Sequence, residues 1–257
     1  MIFKKNLIFF KIICIIFKEN NSEGDYMLLN ITSRNSGENS RNYIYKTIRE
    51  NILSLTLEPG QVISETDFTD IFQVSRTPIR EAFIKLSEEN LIDIFPQKGT
   101  YVTPISMDYV EEARFMRTHL EKAVLLEAIA HFPEKWILEL KKVFALQKTL
   151  IEIEYNPYEF LKLDNLFHKT IFDGVEKGRI WAQIDNMSTH YNRLRMIDLA
   201  GKINISKILE QHGVFIEIIE NQNKSGADIS KLLTIHLTNI FDKLDSLSEQ
   251  YPNYFIK

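Results

Sequence analysis

Three short amphipathic repeats, followed at once by a glycine-centred pair of β-prone runs, confine the segment from Asn42 to Ile105 to very few folds. Tyr43, Ile44, Ile48, Ile52 and Leu55 recur at helical spacing, and the chain must turn at Glu58-Pro59-Gly60, where proline then glycine cannot continue a helix. Ser64 is a good N-cap, Glu65 and Asp67 suit a first turn, and Phe68, Ile71 and Phe72 form the apolar face of a short second helix. The run Ser75-Arg76-Thr77-Pro78-Ile79-Arg80-Glu81-Ala82-Phe83 begins a third helix, with proline tolerated in its first turn and Ile79, Phe83 and Leu86 facing inward. Leu91-Ile92-Asp93-Ile94-Phe95 and Thr100-Tyr101-Val102-Thr103 then flank Pro96-Gln97-Lys98-Gly99, which predicts a hairpin. Three helices and a hairpin in this order make a winged helix-turn-helix, with the hairpin as its wing.

Such a unit can touch DNA at a handful of places. Arg76 and Arg80 are four residues apart and share one helical face, and the guanidinium fork suits guanine edges and phosphates alike. Ser75 and Thr77 stand at the helix N-terminus, where hydroxyl and backbone donors meet a phosphate. Gly99 has no side chain to hold the wing tip away from a minor groove, and Lys98 supplies charge there. The alternative for Arg76 and Arg80 is ion pairing with Glu81 or Asp70 on a solvated face. Charge does not decide the matter: the whole chain carries a formal net charge of -4, and residues 41–105 carry seven basic against nine acidic side chains. Affinity for DNA must therefore come from a few positioned residues, doubled by dimerisation, and should be strongly salt-sensitive.

The segment from Tyr43 to Pro104 resembles the DNA-binding domain of the GntR family of bacterial transcription regulators. The resemblance is carried by Leu57-Glu58-Pro59-Gly60, Ser75-Arg76-Thr77-Pro78-Ile79-Arg80-Glu81-Ala82 and Lys98-Gly99-Thr100-Tyr101-Val102. It implies that Arg76, Thr77, Arg80 and Gly99 touch DNA. Two positions depart from the pattern. Thr66 stands where some members carry arginine, which removes a phosphate contact, and Gln73 replaces a glycine of the turn, which predicts an altered turn or a strained residue.

From Ser106 to Lys257 the pattern is helical throughout, with stretches at 106–131, 134–154, 157–173, 179–199, 206–221 and 227–248. The expected fold is thus mainly α, a winged domain followed by an all-helical bundle. Asp164 and His168, four apart, project from one helix face, and His212 and His236 lie on two later helices that can converge on them. Three imidazoles and a carboxylate suit a divalent metal such as zinc, nickel or manganese, with room for water or an effector oxygen. A lone helical histidine is more often a packing or surface residue, and His119, His131 and His190 have no companions at such spacing.

This half resembles the FCD-type ligand-binding domain of the FadR-like GntR subgroup, through Arg117-Thr118-His119-Leu120-Glu121, Asp164-Asn165-Leu166-Phe167-His168, His212 and His236. The resemblance implies that Asp164, His168, His212 and His236 form the metal ligand set. It also implies that Arg117 presents its guanidinium to a carboxylate effector, a bidentate task that lysine performs less well. An i, i+4 salt bridge with Glu121 is the other role open to Arg117. Arg193 and Arg195 are further effector candidates, and the sequence does not choose between them.

Composition bounds what remains. At 257 residues and 44% apolar content the chain can bury a proper core, which excludes wholesale disorder. Its single cysteine, Cys14, excludes disulfide frameworks and multi-cysteine metal sites, and fits a reducing cytoplasm. Lys4 and Lys5 precede an apolar run from Leu7 to Phe17 that Lys11 interrupts and that is too short to span a membrane. Residues 1–40 are expected to be a flexible extension whose first 26 residues are dispensable, a membrane tether being the other reading. None of the six histidines follows a glutamate at the third position, and the sequence holds no His-Glu-x-x-His, Gly-x-Ser-x-Gly, Walker or Gly-x-Gly-x-x-Gly motif. A metal-dependent hydrolase built on the histidine cluster is the alternative to a regulator. The reading as a whole is a homodimeric repressor of three parts, 1–40, 41–105 and 106–257. It would bind double-stranded operator DNA as an inverted repeat and answer to a small carboxylate metabolite held near a divalent metal.

Overall fold

The computed structural model describes residues 13–18, 26–202, 204–221 and 226–256. Contacts divide the chain into two units, Met1–Pro104 and Ile105–Lys257. The first begins with two antiparallel strands, β1 (Ile13–Lys18) and β2 (Tyr26–Ile31), in register from Ile13 opposite Ile31 to Lys18 opposite Tyr26. A flexible lead-in as far as residue 40 does not describe β2, which is fastened to the first helix, α1 (Ser40–Leu53). Asn30 N donates to Asn51 Oδ1 at 2.8 Å and Asn51 Nδ2 donates to Asn30 O at 2.9 Å, while Leu29 and Ile31 are buried. That reciprocal pair satisfies backbone groups an isolated strand would leave to water. The expectations for Lys4, Lys5 and the start of the apolar run fall outside the described residues.

Around α1 the apolar stripes meet as their periodicity demands. The chain continues through β3 (Val62–Ile63), α2 (Glu65–Phe72), α3 (Arg76–Glu88), β4 (Ile92–Phe95) and β5 (Gly99–Val102), with strand order β3-β5-β4. Ile44, Ile48 and Ile52 of α1, Phe68 of α2 and Ile79, Phe83 and Leu86 of α3 are all buried, with Phe68 set edge-on to Phe83 at 5.6 Å. Each such side chain removed from water contributes about 1.5–3 kcal/mol against the chain's lost entropy. The wing gains a third strand the sequence reading lacked: after Pro59, Gly60 takes φ +83° and its N–H donates to Val102 O at 2.8 Å, which lays β3 beside β5.

The second unit opens with β6 (Ile105–Ser106) and runs through α4 (Met107–Ala130), α5 (Glu134–Ile153), α6 (Pro157–Gly174), α7 (Gly178–Met187), α8 (Thr189–Ala200), α9 (Ile205–Asn221), α10 (Gly226–Thr238), α11 (Leu244–Gln250) and β7 (Phe255–Ile256). Val124, Leu125, Ala128, Phe167, Phe172, Phe215 and Leu233 are among its core. Two expected helices are broken. The stretch 179–199 divides at Ser188, whose ψ of 13° leaves the helical value and whose hydroxyl donates to Ile184 O at 2.6 Å. The stretch 227–248 is interrupted by a 3-10 turn at Phe241–Lys243. The short β7 pairs parallel with β6, Ile105 N donating to Tyr254 O at 2.7 Å, and Ser106 N donates to His190 Nδ1 at 2.9 Å. Among the described residues, no helix is long and apolar enough to cross a membrane.

Candidate DNA-binding face and candidate metal centre

The residues that the sequence marked for DNA lie at the surface, at the start of α3 and at the tip of the wing. Ser75 is the N-cap of α3 and makes no side-chain capping bond, and Arg76, Thr77 and Arg80 are exposed on the first turns of the helix. Arg80 does have an acidic neighbour, Glu65 of α2, at 2.9 Å, rather than Asp70 or Glu81. With the arginine side chain 62% exposed, that pair is weak and is easily exchanged for a phosphate. Gln73 closes α2 in the left-handed region at φ 53°, ψ 47°, so the turn keeps a glycine-like geometry on a residue that has a β-carbon. At the wing tip Lys98 is exposed and Gly99 takes φ +127°, a value that L side chains rarely adopt. Thr66 is exposed as well, and offers a hydroxyl where a guanidinium would reach further.

Inside the helical unit four side chains converge. α6 supplies Asp164 and His168, α9 His212 and α10 His236, with one donor atom from each lying within 4.8 Å of all the others. The Nε2 atoms of His168 and His236 are 3.1 Å apart, and His212 Nε2 is 3.5 Å from Asp164 Oδ1. Asp164, His168 and His212 are almost wholly buried. Burial opposes charge on Asp164, yet Arg195 beside it and the three histidines hold its carboxyl well below the ordinary range. Burial pushes the His212 imidazole down to about 3 and, with His168 and His212 nearby, drives His236 well down too. The carboxylate is thus charged and these two rings neutral, the states in which they ligate a metal.

These donors fit a divalent ion. Asp164 Oδ1 and His212 Nε2 are buried polar atoms with no hydrogen-bond partner among the described residues, although they face each other. Two imidazole nitrogens each about 2.0–2.1 Å from a zinc ion stand about 3 Å apart, which is the spacing of His168 and His236. Three imidazoles and one carboxylate are a donor set for a borderline metal.

The other nitrogen of each ring is also engaged. His168 Nδ1 is 2.8 Å from Glu121 Oε2, His212 Nδ1 is 2.9 Å from Gln147 Oε1, and His236 Nδ1 is 2.8 Å from Gln211 Oε1. On the far oxygen of Asp164, Oδ2 accepts from Arg195 Nη2.

Arg117 lies next to this cluster. Its Nε donates to Glu121 Oε1 at 2.5 Å, its charge lies over the rings of Trp181 and Tyr191, and its Nη2 is buried without a hydrogen-bond partner among the described residues. Burial would raise the Glu121 carboxyl, but Arg117 and His168 bring it down to about 2, so the Arg117–Glu121 pair is ionised in the interior. A narrow cavity, with room for about one water molecule, is lined by Glu121, His168, Val124, Leu125, Phe215 and Leu233. Of the two further arginines, only Arg195 reaches the cluster. Arg193 is wholly buried elsewhere, its Nη2 3.0 Å from His190 Nδ1, and burial lowers it to about 9.

Comparison with known proteins agrees with both halves. Residues 41–102 match the bacterial regulatory proteins of the gntR family, and residues 112–239 match the FCD domain. The HTH-type transcriptional repressor RspR of Escherichia coli is 30% identical over 212 residues, which cover 82% of this chain and 92% of that protein. The chain is a GntR-family transcriptional regulator. The gluconate operon transcriptional repressor of Bacillus subtilis is 27% identical to this GntR regulator over 78% of the chain and 83% of its own length. A crystal structure of a GntR regulator from Rhodococcus superposes with a TM-score of 0.66 at 20% identity, covering 80% of this chain and 97% of that one. The Escherichia coli protein McbR/YncC gives 0.63 at 15%, covering 83% and 98%. The winged domain joined to a helical FCD domain is therefore the architecture of this GntR regulator.

Sequence reasoning missed three residues of the GntR regulator's centre. In the sequence Glu121 stands out only as a partner for Arg117, and Gln147 and Gln211 carry no signal. Neither glutamine stands at a ligand-like spacing, and only the packing of α5 and α9 brings them to the rings.

Proposed function

We propose that this GntR regulator is a homodimeric cytoplasmic repressor whose hold on an inverted-repeat operator is set by a small carboxylate metabolite bound near a divalent metal. The observation that carries the reading is the buried convergence of Asp164, His168, His212 and His236, with unbonded donors turned toward one another, beside an arginine whose Nη2 has no hydrogen-bond partner among the described residues. Asp164, His168, His212 and His236 would hold the ion, with zinc, nickel and manganese all compatible with their chemistry. Once bound, the ion supplies a Lewis-acidic anchor for effector oxygens. Arg117 offers its buried Nη2 to a carboxylate.

At the other end of the chain, Arg76, Thr77 and Arg80 enter a major groove while Lys98 and Gly99 approach a minor groove. Two copies related by a two-fold axis read two half-sites, hence the inverted repeat. Effector and operator then alter each other's affinity reciprocally, as any coupled pair of sites must. That two of the similar proteins are named repressors supports repression. The test is a gel shift with the DNA upstream of the regulator's own gene, on protein whose metal content has been measured. About one divalent ion per chain, lost in His212→Ala, and an affinity that changes when carboxylates are supplied are the expected results. Wild-type protein that purifies metal-free and still responds to carboxylates would sink the metal part of the reading.

A further inference from the structure

The three histidines of the centre are ambiguous in one respect, because a neutral imidazole carries its proton on either nitrogen and ligates through the other. The surroundings remove the ambiguity. Each Nδ1 stands within 2.8–2.9 Å of a side-chain oxygen: Glu121 Oε2 for His168, Gln147 Oε1 for His212 and Gln211 Oε1 for His236. A carboxylate oxygen can only accept, and an amide oxygen likewise, so Nδ1 of His212 and His236 donate, and Glu121 Oε2, a buried oxygen with no hydrogen-bond partner among the described residues, is the acceptor within reach of His168 Nδ1. With each Nδ1 so committed, it is the three Nε2 atoms that are left to face a cation, and those of His168 and His236 lie 3.1 Å apart. At that distance two ring nitrogens share either a proton or a cation.

We propose that Glu121, Gln147 and Gln211 are the positioning residues of this centre, fixing His168, His212 and His236 as Nδ1–H tautomers so that three Nε2 atoms face one divalent cation. This rests on the reading of Asp164 and the three histidines as its ligands. The three partners differ in kind. Glu121 is an anion, so His168 is the most strongly donating of the rings, whereas the amides of Gln147 and Gln211 orient their histidines without adding charge. Glu121 is also the acceptor of Arg117, so the ring it orients and that buried guanidinium draw on a single carboxylate. Gln147 gives the clearest case. It is fully buried, its Oε1 is spent on His212, and its Nε2 has no partner among the described residues. A glutamine kept in the core with its amide nitrogen unsatisfied contributes nothing to packing that leucine could not.

The test measures zinc affinity of the full-length protein by competition with a chromophoric chelator, beside the absorption spectrum of the cobalt-loaded form and the melting temperature of the metal-free form. Gln147→Leu should weaken zinc binding about tenfold or more, as loss of an outer partner typically does. It should change the cobalt spectrum and leave the metal-free melting temperature level or higher. Gln211→Leu should act in the same direction. Glu121→Gln keeps an acceptor for the ring but leaves Arg117 without its buried anion, so it should weaken zinc binding and lower the metal-free melting temperature as well. Three variants that bind zinc as wild type does, with unaltered cobalt spectra, overturn the assignment and leave the ligand set standing. Wild-type protein that binds neither zinc nor cobalt overturns the ligand set itself.

Discussion

The two units of this GntR regulator place their chemistry on opposite sides of their cores. In the winged unit, Arg76, Thr77, Arg80 and Lys98 are exposed over a buried core of aliphatic and aromatic side chains. In the helical unit, Arg117, Glu121, Asp164, His168 and His212 are buried among the core residues themselves. An exposed charge costs the fold almost nothing, so the winged unit can display its candidate DNA contacts with no more than a surface ion pair, that of Arg80 with Glu65. A buried charge is costly unless paired. The helical unit meets that cost with the chain Arg117–Glu121–His168 and the pair Arg195–Asp164. Substitutions should therefore separate function from stability in one unit and join them in the other.

The sharpest test of that difference removes Arg117. Arg117→Ala leaves Glu121 buried with only His168 to answer it, and loss of one partner of a buried ion pair costs about 3–5 kcal/mol. Chemical denaturation should show a destabilisation of that order. A loss below about 1 kcal/mol, within the range of surface pairs, would mean that water reaches the pair and that the contrast between the units is false.

Metal comes next in size. An ion present at a hundredfold excess over its dissociation constant stabilises the folded chain by about 2.7 kcal/mol, which at this size is a rise of roughly 5–10 °C in melting temperature. Adding a strong chelator should reverse that rise in wild type and have no effect in His212→Ala. If the winged unit instead melted earlier on chelation, with the helical unit unmoved, the centre would have been placed in the wrong half.

How far the sequence revealed these two units follows from the same contrast. Residues on an exposed helical face advertise themselves by spacing alone, and Arg76, Thr77 and Arg80 are found on one face as their spacing requires. Asp164 and His168 were legible for the same reason, but His212 and His236 needed the resemblance because tertiary packing alone joins their helices. Arg193 and Arg195 could not be told apart, since residues two apart on a helix point to opposite sides and the sequence does not say which side faces the cluster. Gln147 and Gln211 bear no local mark at all. The strand Tyr26–Ile31 was hidden within a polar lead-in, where a single reciprocal pair, Asn30 with Asn51, fixes it to a helix more than twenty residues on. No glycine or proline marks the break at Ser188, which a hydroxyl bonded back to Ile184 O accompanies.

Arg80→Ala probes the winged unit in turn. Loss of an arginine contact to a base should cost about 1–3 kcal/mol of operator affinity, read as a gel-shift weakening of roughly 5- to 150-fold. Stability should stay within about 0.5 kcal/mol of wild type, since the side chain is exposed and its one ion pair lies at the surface. Unchanged affinity for the operator would show that α3 does not enter the groove.

The smallest effect is the most discriminating. Glu65 holds Arg80 at 2.9 Å in the free protein, and a phosphate or base edge must displace that carboxylate before the guanidinium can serve DNA. Glu65→Gln removes the competitor and one negative charge from the DNA-facing side. Because the pair is exposed, the substitution should cost stability no more than about 0.2–1 kcal/mol. Operator affinity should rise slightly, and its decline with salt should begin from that higher value. The gain should vanish in the Arg80→Ala background if Glu65 acts through that arginine, and persist if it acts only as a repelling charge near the phosphates. A fall in affinity on Glu65→Gln would give the carboxylate the opposite part, that of a brace which orients Arg80 for the groove. In that case the winged unit, like the helical one, would depend on a charged partner to aim its functional side chain, and the contrast between the two would reduce to burial alone.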